Sequence, residues 1–350
     1  MNQTRPVILF ALATLAPLPL LAMGGTAGGV WIWAALAYLT AFTFALDQLV
    51  AITAPDAPED CAFPGADSLL TVLAIAHFAL LALAVRAVSG AAGLAPADRV
   101  AAFLAFGLFF GQISNSNAHE LIHRARRPLH ALGQWIYISL LFGHHSSAHP
   151  RVHHRFVATP LDPNSARLGE SFYHFAPRAW IGSFREGLRA ENRLGAARTP
   201  PRPAWRHPYV TYVAGGLAGL GLSTLAFGLP GLLAHLGLAG HATAQLLLSD
   251  YVQHYGLSRA RLPDGRFEPV APRHSWNAPH WFSGHLMLNA PRHSDHHAHP
   301  ARPYPALRLP PAPEAPTLPR GLPAMATLAL FPTAWRRVMD RRVTRWRAAR

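Results

Sequence analysis

The chain alternates long apolar runs with polar segments. Six of the runs approach the ~20 residues that an α-helix needs to cross a bilayer. They predict transmembrane helices at about 7–23, 30–54, 69–88, 100–116, 209–229 and 232–250. A shorter apolar run at 129–142 is expected to dip into the membrane and return. The pattern predicts an all-α, polytopic membrane protein, one domain over 1–350, with a histidine-rich cap formed by 117–206 and 251–310.

The polar segments that follow the spans are rich in histidine. Three of them carry histidines at i, i+3, i+4 or i+5, spacings that let imidazoles converge from one helical face. A further histidine directly follows the last span. The nine candidate metal ligands are His119, His123, His149, His153, His154, His254, His293, His296 and His297. One ion takes about four to six ligands, so this set predicts two metal ions rather than one.

Carboxylates are expected beside these histidines, because neutral imidazoles leave the charge of metal cations unbalanced. The candidates for orienting the ligands and offsetting that charge are Glu120, Asp162, Glu170, Asp250 and Asp295. For Asp250 and Glu170, a role as a capping or salt-bridge residue is the alternative. Three histidines within the spans are expected to serve packing or hydrogen bonding, namely His77, His235 and His241.

Composition agrees with a membrane protein. Hydrophobic residues make up 51% of the chain and charged residues 14%, against roughly a quarter charged in a soluble domain. The net charge of +14 comes from arginine alone, and nearly all of it follows residue 123. With no recognisable nucleic-acid module, these arginines predict a cytoplasmic face rather than a nucleic-acid partner. Cys61 is the single cysteine, which excludes an intramolecular disulfide and a cysteine metal cage.

Several segments resemble the integral-membrane alkane hydroxylases, the alkane 1-monooxygenases of the membrane fatty-acid desaturase and hydroxylase superfamily. The resemblance runs from about 117 to 308. It rests on the His-Glu-Leu-Ile-His-Arg run at 119–124, the Val157 to Tyr173 run, His254-Tyr255-Gly256, the His-Ser-Trp-Asn run at 274–277, and 292–300. Departures from the family pattern are Ala148 in place of glutamate, Val152 in place of glycine and Asp250 in place of asparagine.

The resemblance implies a fold, an activity and partners. It implies a six-span bundle in a bacterial inner membrane with the active site on the cytoplasmic side, and two non-haem iron ions bound by the nine histidines. The implied reaction is hydroxylation of the terminal carbon of an alkane with O2. Electrons would come from rubredoxin, reduced by an NADH-dependent rubredoxin reductase, and the arginine-rich face suits a small acidic carrier.

Other functions remain open on the sequence alone. Hydroxylation of a methyl-aromatic, as in xylene monooxygenase, and desaturation or hydroxylation of an acyl chain use the same scaffold. The pattern His119-Glu120-x-x-His123 by itself also fits a membrane zinc protease with Glu120 as general base. A metal transporter is the non-enzyme alternative, although its histidines are expected along a transmembrane path rather than at one side.

Overall fold

The structure, a computed structural model, describes residues 4–5, 7–50, 53–58 and 61–349. These residues form helices joined by loops, and their β-pairing is limited to isolated bridges. The predicted all-α class is therefore confirmed. In chain order the helices are α1 (Ile8–Ala27), α2 (Gly29–Leu49), α3 (Ala66–Ser89), α4 (Pro96–Ile122), α5 (Arg127–Ser139), α6 (the consecutive turns His145–Ala148, His149–His153 and His154–Phe156), α7 (Phe172–Ala196), α8 (Pro208–His254), α9 (Trp281–Leu286), α10 (His293–Ala298), α11 (Leu322–Ala329) and α12 (Pro332–Ala348).

Five helices of the described residues are long and apolar enough to cross a bilayer, namely α1 to α4 and α8. Most of these helices begin and end within a few residues of the predicted bounds. α4 differs more, because it continues through the first histidine pair to Ile122 instead of ending near 116. The predicted span 30–54 also needs correction, since α2 ends at Leu49 and Thr53 forms a bridge with His280. Residues 51–52 of that span lie outside the described residues.

α8 is two helical arms joined at a break. Gly228 has φ +63° and Pro230 follows, so the backbone hydrogen-bond ladder is interrupted here. Ser223 and His235 lie on opposite sides of the break, and their side chains are 2.8 Å apart at Oγ and Nδ1. A straight helix would separate residues twelve positions apart by about 18 Å. The arms therefore fold back on each other, at the position where the sequence predicts two separate spans, 209–229 and 232–250.

The helical bundle uses its internal histidines as packing and hydrogen-bonding residues. His77 of α3 is fully buried, and its Nε2 lies 2.8 Å from Ser139 Oγ at the end of α5. His235 of α8 reaches the backbone oxygen of the same Ser139, also at 2.8 Å. These contacts join α3, α5 and α8 and satisfy polar groups that lipid would leave unpaired. The short helix α5 occupies the position of the predicted re-entrant run.

Candidate metal centre

Four chain segments bring histidines to one end of the bundle. The last turns of α4 carry His119 and His123, and the end of α8 carries His254. α6 and α10 are short helices between loops and carry the second and third clusters. The middle of α6 is a π-turn, His149–His153, which changes the angular spacing of the side chains along this helix.

The structure brings all nine predicted histidines together, in two groups. The first group contains His119, His123, His149, His154 and His296, and the second contains His153, His254, His293 and His297. Within each group, one ring nitrogen from every histidine lies within 4.8 Å of the others. α6 serves both groups, because it gives His149 and His154 to one and His153 to the other. α10 is shared in the same way.

The distances between ring nitrogens fit shared metal ligation better than hydrogen bonding. His149 Nε2 lies 2.8 Å from His119 Nε2 and 2.9 Å from His154 Nε2. In the second group, His293 Nε2 lies 3.0 Å from His254 Nε2 and 3.1 Å from His297 Nε2. An imidazole nitrogen has one in-plane site, so it cannot pair with two neighbours at once. Two nitrogens each about 2.1 Å from one ion, at right angles, are about 3.0 Å apart.

Five of the nine histidines have a buried Nδ1 without a hydrogen-bond partner among the described residues, namely His149, His154, His293, His296 and His297. Two Nε2 atoms are unpartnered in the same way, His123 Nε2 in the first group and His153 Nε2 in the second. An unpaired buried nitrogen is costly unless it binds something. Both atoms therefore fit the role of a metal ligand. The residues present in each group suit a late first-row divalent metal, because imidazole binds iron, copper, nickel and zinc.

Burial keeps most of these imidazoles neutral, which is the form that binds metal. Burial, followed by the charges of neighbouring histidines, lowers the pKa of five of them well below the usual value: His149, His154, His293, His296 and His297. For His123, burial and the nearby His130 and Arg124 lower the pKa to about 4. Protons therefore compete weakly with a metal at these positions near neutral pH.

Asp162 is the predicted carboxylate that contacts a histidine of the groups directly. Its Oδ2 accepts a hydrogen bond from His153 Nδ1 at 2.9 Å, and both residues are buried. Burial by itself raises the pKa of Asp162, but the charge of His153 and the hydrogen bonds from His153 and Ser165 outweigh it, so the pKa lies below its usual value. The same contact leaves His153 Nε2 facing its group. This carboxylate–histidine pair is the arrangement that orients metal ligands in proteins.

Asp250 is one step further away. Its Oδ2 accepts a hydrogen bond from Asn164 Nδ2 at 2.6 Å, and the backbone N–H of Asn164 donates to Asp162 Oδ1 at 3.1 Å. Asp250 also lines a small void whose wall includes His119 and His293. It is therefore linked through Asn164 to Asp162 and lies close to both histidine groups.

The other three predicted carboxylates are engaged elsewhere in the described part of the chain. Glu120 accepts the backbone N–H of Tyr304 at 3.1 Å. Glu170 forms an ion pair with Arg178 at 2.7 Å. Asp295 binds Arg302 at 2.5 Å and accepts a hydrogen bond from His299. These contacts fix the loops around the groups.

Sequence reasoning missed the residues that anchor the cap. Asn277 holds the start of α10 with two buried hydrogen bonds, from its Nδ2 to Ser294 Oγ at 2.8 Å and from the Ser294 backbone N–H to its Oδ1 at 3.0 Å. Ser147 and Arg151 of α6 bind the buried Glu191 of α7, at 2.8 and 3.0 Å. The resemblance pointed to the segment around Asn277 but gave it no role, and no spacing pattern marks Glu191.

An apolar cavity of about 650 Å³ leads toward the histidines. Its walls come from α2, α4, the second arm of α8 and α11. A second, smaller void is lined by His119, His149 and His293. Gly111, Ser249 and Met287 belong to the walls of both, so they form a neck between the apolar cavity and the candidate metal centre.

The chain is similar to known proteins over much of its length. The family model described as fatty acid desaturase matches residues 96–329. Alkane 1-monooxygenase 2 of Pseudomonas aeruginosa is 37% identical over 241 residues, which are 69% of this chain and 63% of that protein. Alkane 1-monooxygenase 2 of Alcanivorax borkumensis is 30% identical over 341 residues, 95% of this chain and 88% of that protein. The xylene/toluene monooxygenase hydroxylase component of Pseudomonas putida is 27% identical over 230 residues, 62% of this chain and 57% of that protein. The match to the first of these relatives therefore spans less than two thirds of its length.

Proposed function

The chain belongs to the fatty acid desaturase family and, within it, to the alkane 1-monooxygenases, and on that premise we propose that it hydroxylates the terminal carbon of alkanes to 1-alkanols. The oxidant is O2, and the nine histidines hold two non-haem iron ions. Electrons come from rubredoxin and its NADH-dependent reductase.

The observation that carries this proposal is the neck between the apolar cavity and the histidine groups. A volume of about 650 Å³ lies within the roughly 300–1,000 Å³ typical of small-molecule sites. Its wall includes Leu39 and Phe44 of α2 and Leu322 of α11, and it shares the neck residues with the void lined by His119 and His149. A substrate with no polar group can lie in this cavity with one of its terminal methyl groups toward the metal-binding residues. This geometry supports a hydrocarbon substrate.

The residues of this chain have defined tasks in that reaction. When bound, the irons supply the activation of O2. The imidazoles would hold them, and Asp162 keeps His153 oriented by accepting a hydrogen bond from its Nδ1 at 2.9 Å. The apolar wall excludes water and positions a methyl group near His119 and His149. In an oxidation that depends on a cofactor, the protein contributes this positioning and exclusion of water.

We also propose the topology that the resemblance implies. The two arms of α8 count as separate spans, which gives six transmembrane helices in a single domain over 1–350. Residues 117–206 and 251–310 form a cap on the cytoplasmic side of a bacterial inner membrane, where the positive-inside rule places arginine-rich segments. α12 presents several of those arginines, among them Arg337 and Arg341, and supports docking of an acidic electron carrier.

A methyl-aromatic substrate is the second candidate, because the chain is also similar to a xylene/toluene monooxygenase component. Acyl desaturation would use the same residues. The zinc protease fits less well: its general base would have to face the metal, but the Glu120 carboxylate accepts the Tyr304 N–H and lies 3.6 Å from Arg124. A transporter fits less well because both histidine groups lie at one end of the bundle.

The test is a product assay on the holoenzyme in nanodiscs with rubredoxin, its reductase, NADH and ¹⁸O₂. With octane we expect 1-octanol that carries the label. Labelled methylbenzyl alcohol from p-xylene at a much higher rate than 1-octanol would favour the second candidate. No labelled alcohol from either substrate, with iron bound, would contradict the proposed activity.

A further inference from the structure

The last helix of the described chain, α12, packs against the segment that directly follows the candidate ligand His254. Two of its side chains bind that segment. The Arg347 guanidinium donates to the Gly256 backbone oxygen, from Nη2 at 2.6 Å and from Nε at 3.1 Å. Tyr255 Oη donates to Asp340 Oδ1 at 2.6 Å. Both contacts therefore lie within two residues of His254.

The backbone beyond His254 depends on these contacts for its position. His254 is the last residue of α8, and the final turn of a helix has carbonyl groups without partners inside the helix and frays readily. Gly256 has φ +70°, a conformation that glycine adopts without strain. A Cβ at this position would lie 2.8 Å from Cγ2 of the buried Val343 of α12. The glycine therefore lets α12 approach this backbone closely.

α12 also contacts a second segment, which pairs with the end of α8. Trp346 Nε1 donates to the Arg273 backbone oxygen at 3.3 Å. Three residues further on, the Trp276 backbone N–H donates to the Gln253 oxygen at 2.8 Å, and Trp276 Nε1 donates to the Tyr255 oxygen at 3.0 Å. α12 thus holds the end of α8 both directly and through this second segment.

The second histidine group takes one member from α8, namely His254, whose Nε2 lies 3.0 Å from His293 Nε2. The other three members come from α6 and α10, whereas the first group takes its members from α4, α6 and α10. A displacement of the end of α8 therefore moves a candidate ligand of the second group and none of the first. The contacts of α12 should affect one group selectively.

We propose, building on the proposed metal-dependent function, that Arg347 and Asp340 are positioning residues for His254. They hold its backbone through residues 255–256 and so fix its imidazole in the second histidine group. α12 follows residue 329, where the match to the family model ends, so this role belongs to residues outside the matched segment. Residues that orient metal ligands typically change metal affinity by about 10–100-fold. The lower end, about tenfold, applies here because both side chains act through the backbone rather than on the imidazole.

The test compares the natural full-length protein with three variants in nanodiscs. Arg347→Met keeps the aliphatic stem and removes the guanidinium, and Asp340→Leu keeps a side chain of similar size and removes the acceptor. Arg345→Met, the same change at an exposed arginine of α12, is the matched control. The first readout is hydrogen exchange of the backbone at 252–257 in metal-free protein, measured by mass spectrometry, which needs neither metal nor activity. The second is metal content per chain after dialysis against a graded series of chelator concentrations.

We expect exchange at 252–257 to be about tenfold faster in Arg347→Met and Asp340→Leu, as the loss of a hydrogen bond to a charged group predicts, and unchanged in Arg345→Met. The first two variants should lose one metal ion per chain at about tenfold lower chelator concentration and retain the other. In a His149→Ala background, where the first group lacks a ligand, Arg347→Met should weaken retention of the remaining ion to the same extent.

Unchanged exchange in Arg347→Met and Asp340→Leu would overturn the assignment, and so would faster exchange with metal retention equal to that of the natural protein. Equal loss of both ions, or the same loss in Arg345→Met, would indicate general destabilisation and would also overturn it. If the natural protein binds no metal, the proposed function fails, while the exchange comparison still decides whether α12 holds the end of α8.

Discussion

The Asp162–His153 pair allows a sharp test of how the cap builds the second histidine group. Asp162 receives three hydrogen bonds: from His153 Nδ1 at 2.9 Å, from Ser165 Oγ at 2.7 Å and from the Asn164 backbone N–H at 3.1 Å. In Asp162→Asn only one oxygen remains, so the NH2 group must face at least one of these donors. The negative charge beside His153 is also lost.

Carboxylates that orient metal-binding histidines typically contribute about 10–100-fold in metal affinity or activity, which is about 1.4–2.7 kcal/mol. We expect Asp162→Asn to weaken metal binding by that amount in the group of His153, His254, His293 and His297. The group around His149 should retain its metal. The variant would then bind two ions at high metal concentration and about one after dialysis against a weak chelator.

Glu170→Gln is the matched control. It removes a carboxylate of the same cap that pairs with Arg178 rather than with a histidine. The assay is metal content per chain, measured by mass spectrometry after dialysis against a graded series of chelator concentrations. Metal retention by Asp162→Asn equal to that of the natural protein would refute the reasoning, as would an equal loss from Glu170→Gln.

Three further predictions follow from other contacts. His149→Ala should prevent metal loading of its group and abolish activity while the protein stays in the membrane, because His149 Nε2 lies within 2.9 Å of two other ring nitrogens. Full activity of this variant would contradict the role of His149 as a ligand. Glu191→Gln should lower the free energy of unfolding by about 1–3 kcal/mol. Burial raises the pKa of Glu191, but its arginine partners outweigh this and lower the pKa below the usual value. The stabilisation by Glu191 is therefore present above about pH 4.3 and is lost as the pH falls through the lower pKa of the folded state. The pH–stability curve of the variant should lack this loss. Gly111→Val should reduce octane oxidation at least about tenfold with metal content unchanged, because Gly111 belongs to the neck and a Cβ there would lie 2.2 Å from Gln245, which lines the adjoining apolar cavity. Gly221→Val, in open space, is the control. An unchanged rate in Gly111→Val would contradict the neck as the substrate path.

Much of the fold and the convergence of the histidines was predictable because both depend on local patterns. Apolar runs of sufficient length predict helices whatever surrounds them, and the fold is all-α as predicted. The resemblance to alkane 1-monooxygenases, which rested on quoted motifs, is confirmed by the comparisons. Histidines at helical spacing were expected to converge, and the structure brings all nine together. Their role as iron ligands remains a prediction.

What the sequence did not predict depends on long-range contacts. The division into five and four histidines separates His153 from its neighbours His149 and His154, because α6 winds through a π-turn between two groups. For Glu170 the sequence left open a role beside the histidines or in a salt bridge, and the ion pair with Arg178 of α7 is a contact that no motif marks. The apolar cavity carries no motif either, because α2, α4, α8 and α11 build its wall from distant parts of the chain.

The most direct test of the central claim is the identity and number of the metal ions per chain in protein purified from membranes in nanodiscs. The account predicts about two irons per chain, falling to about one at most in His149→Ala, with O2-dependent alcohol formation lost in parallel. One zinc per chain and no O2-dependent product would contradict it.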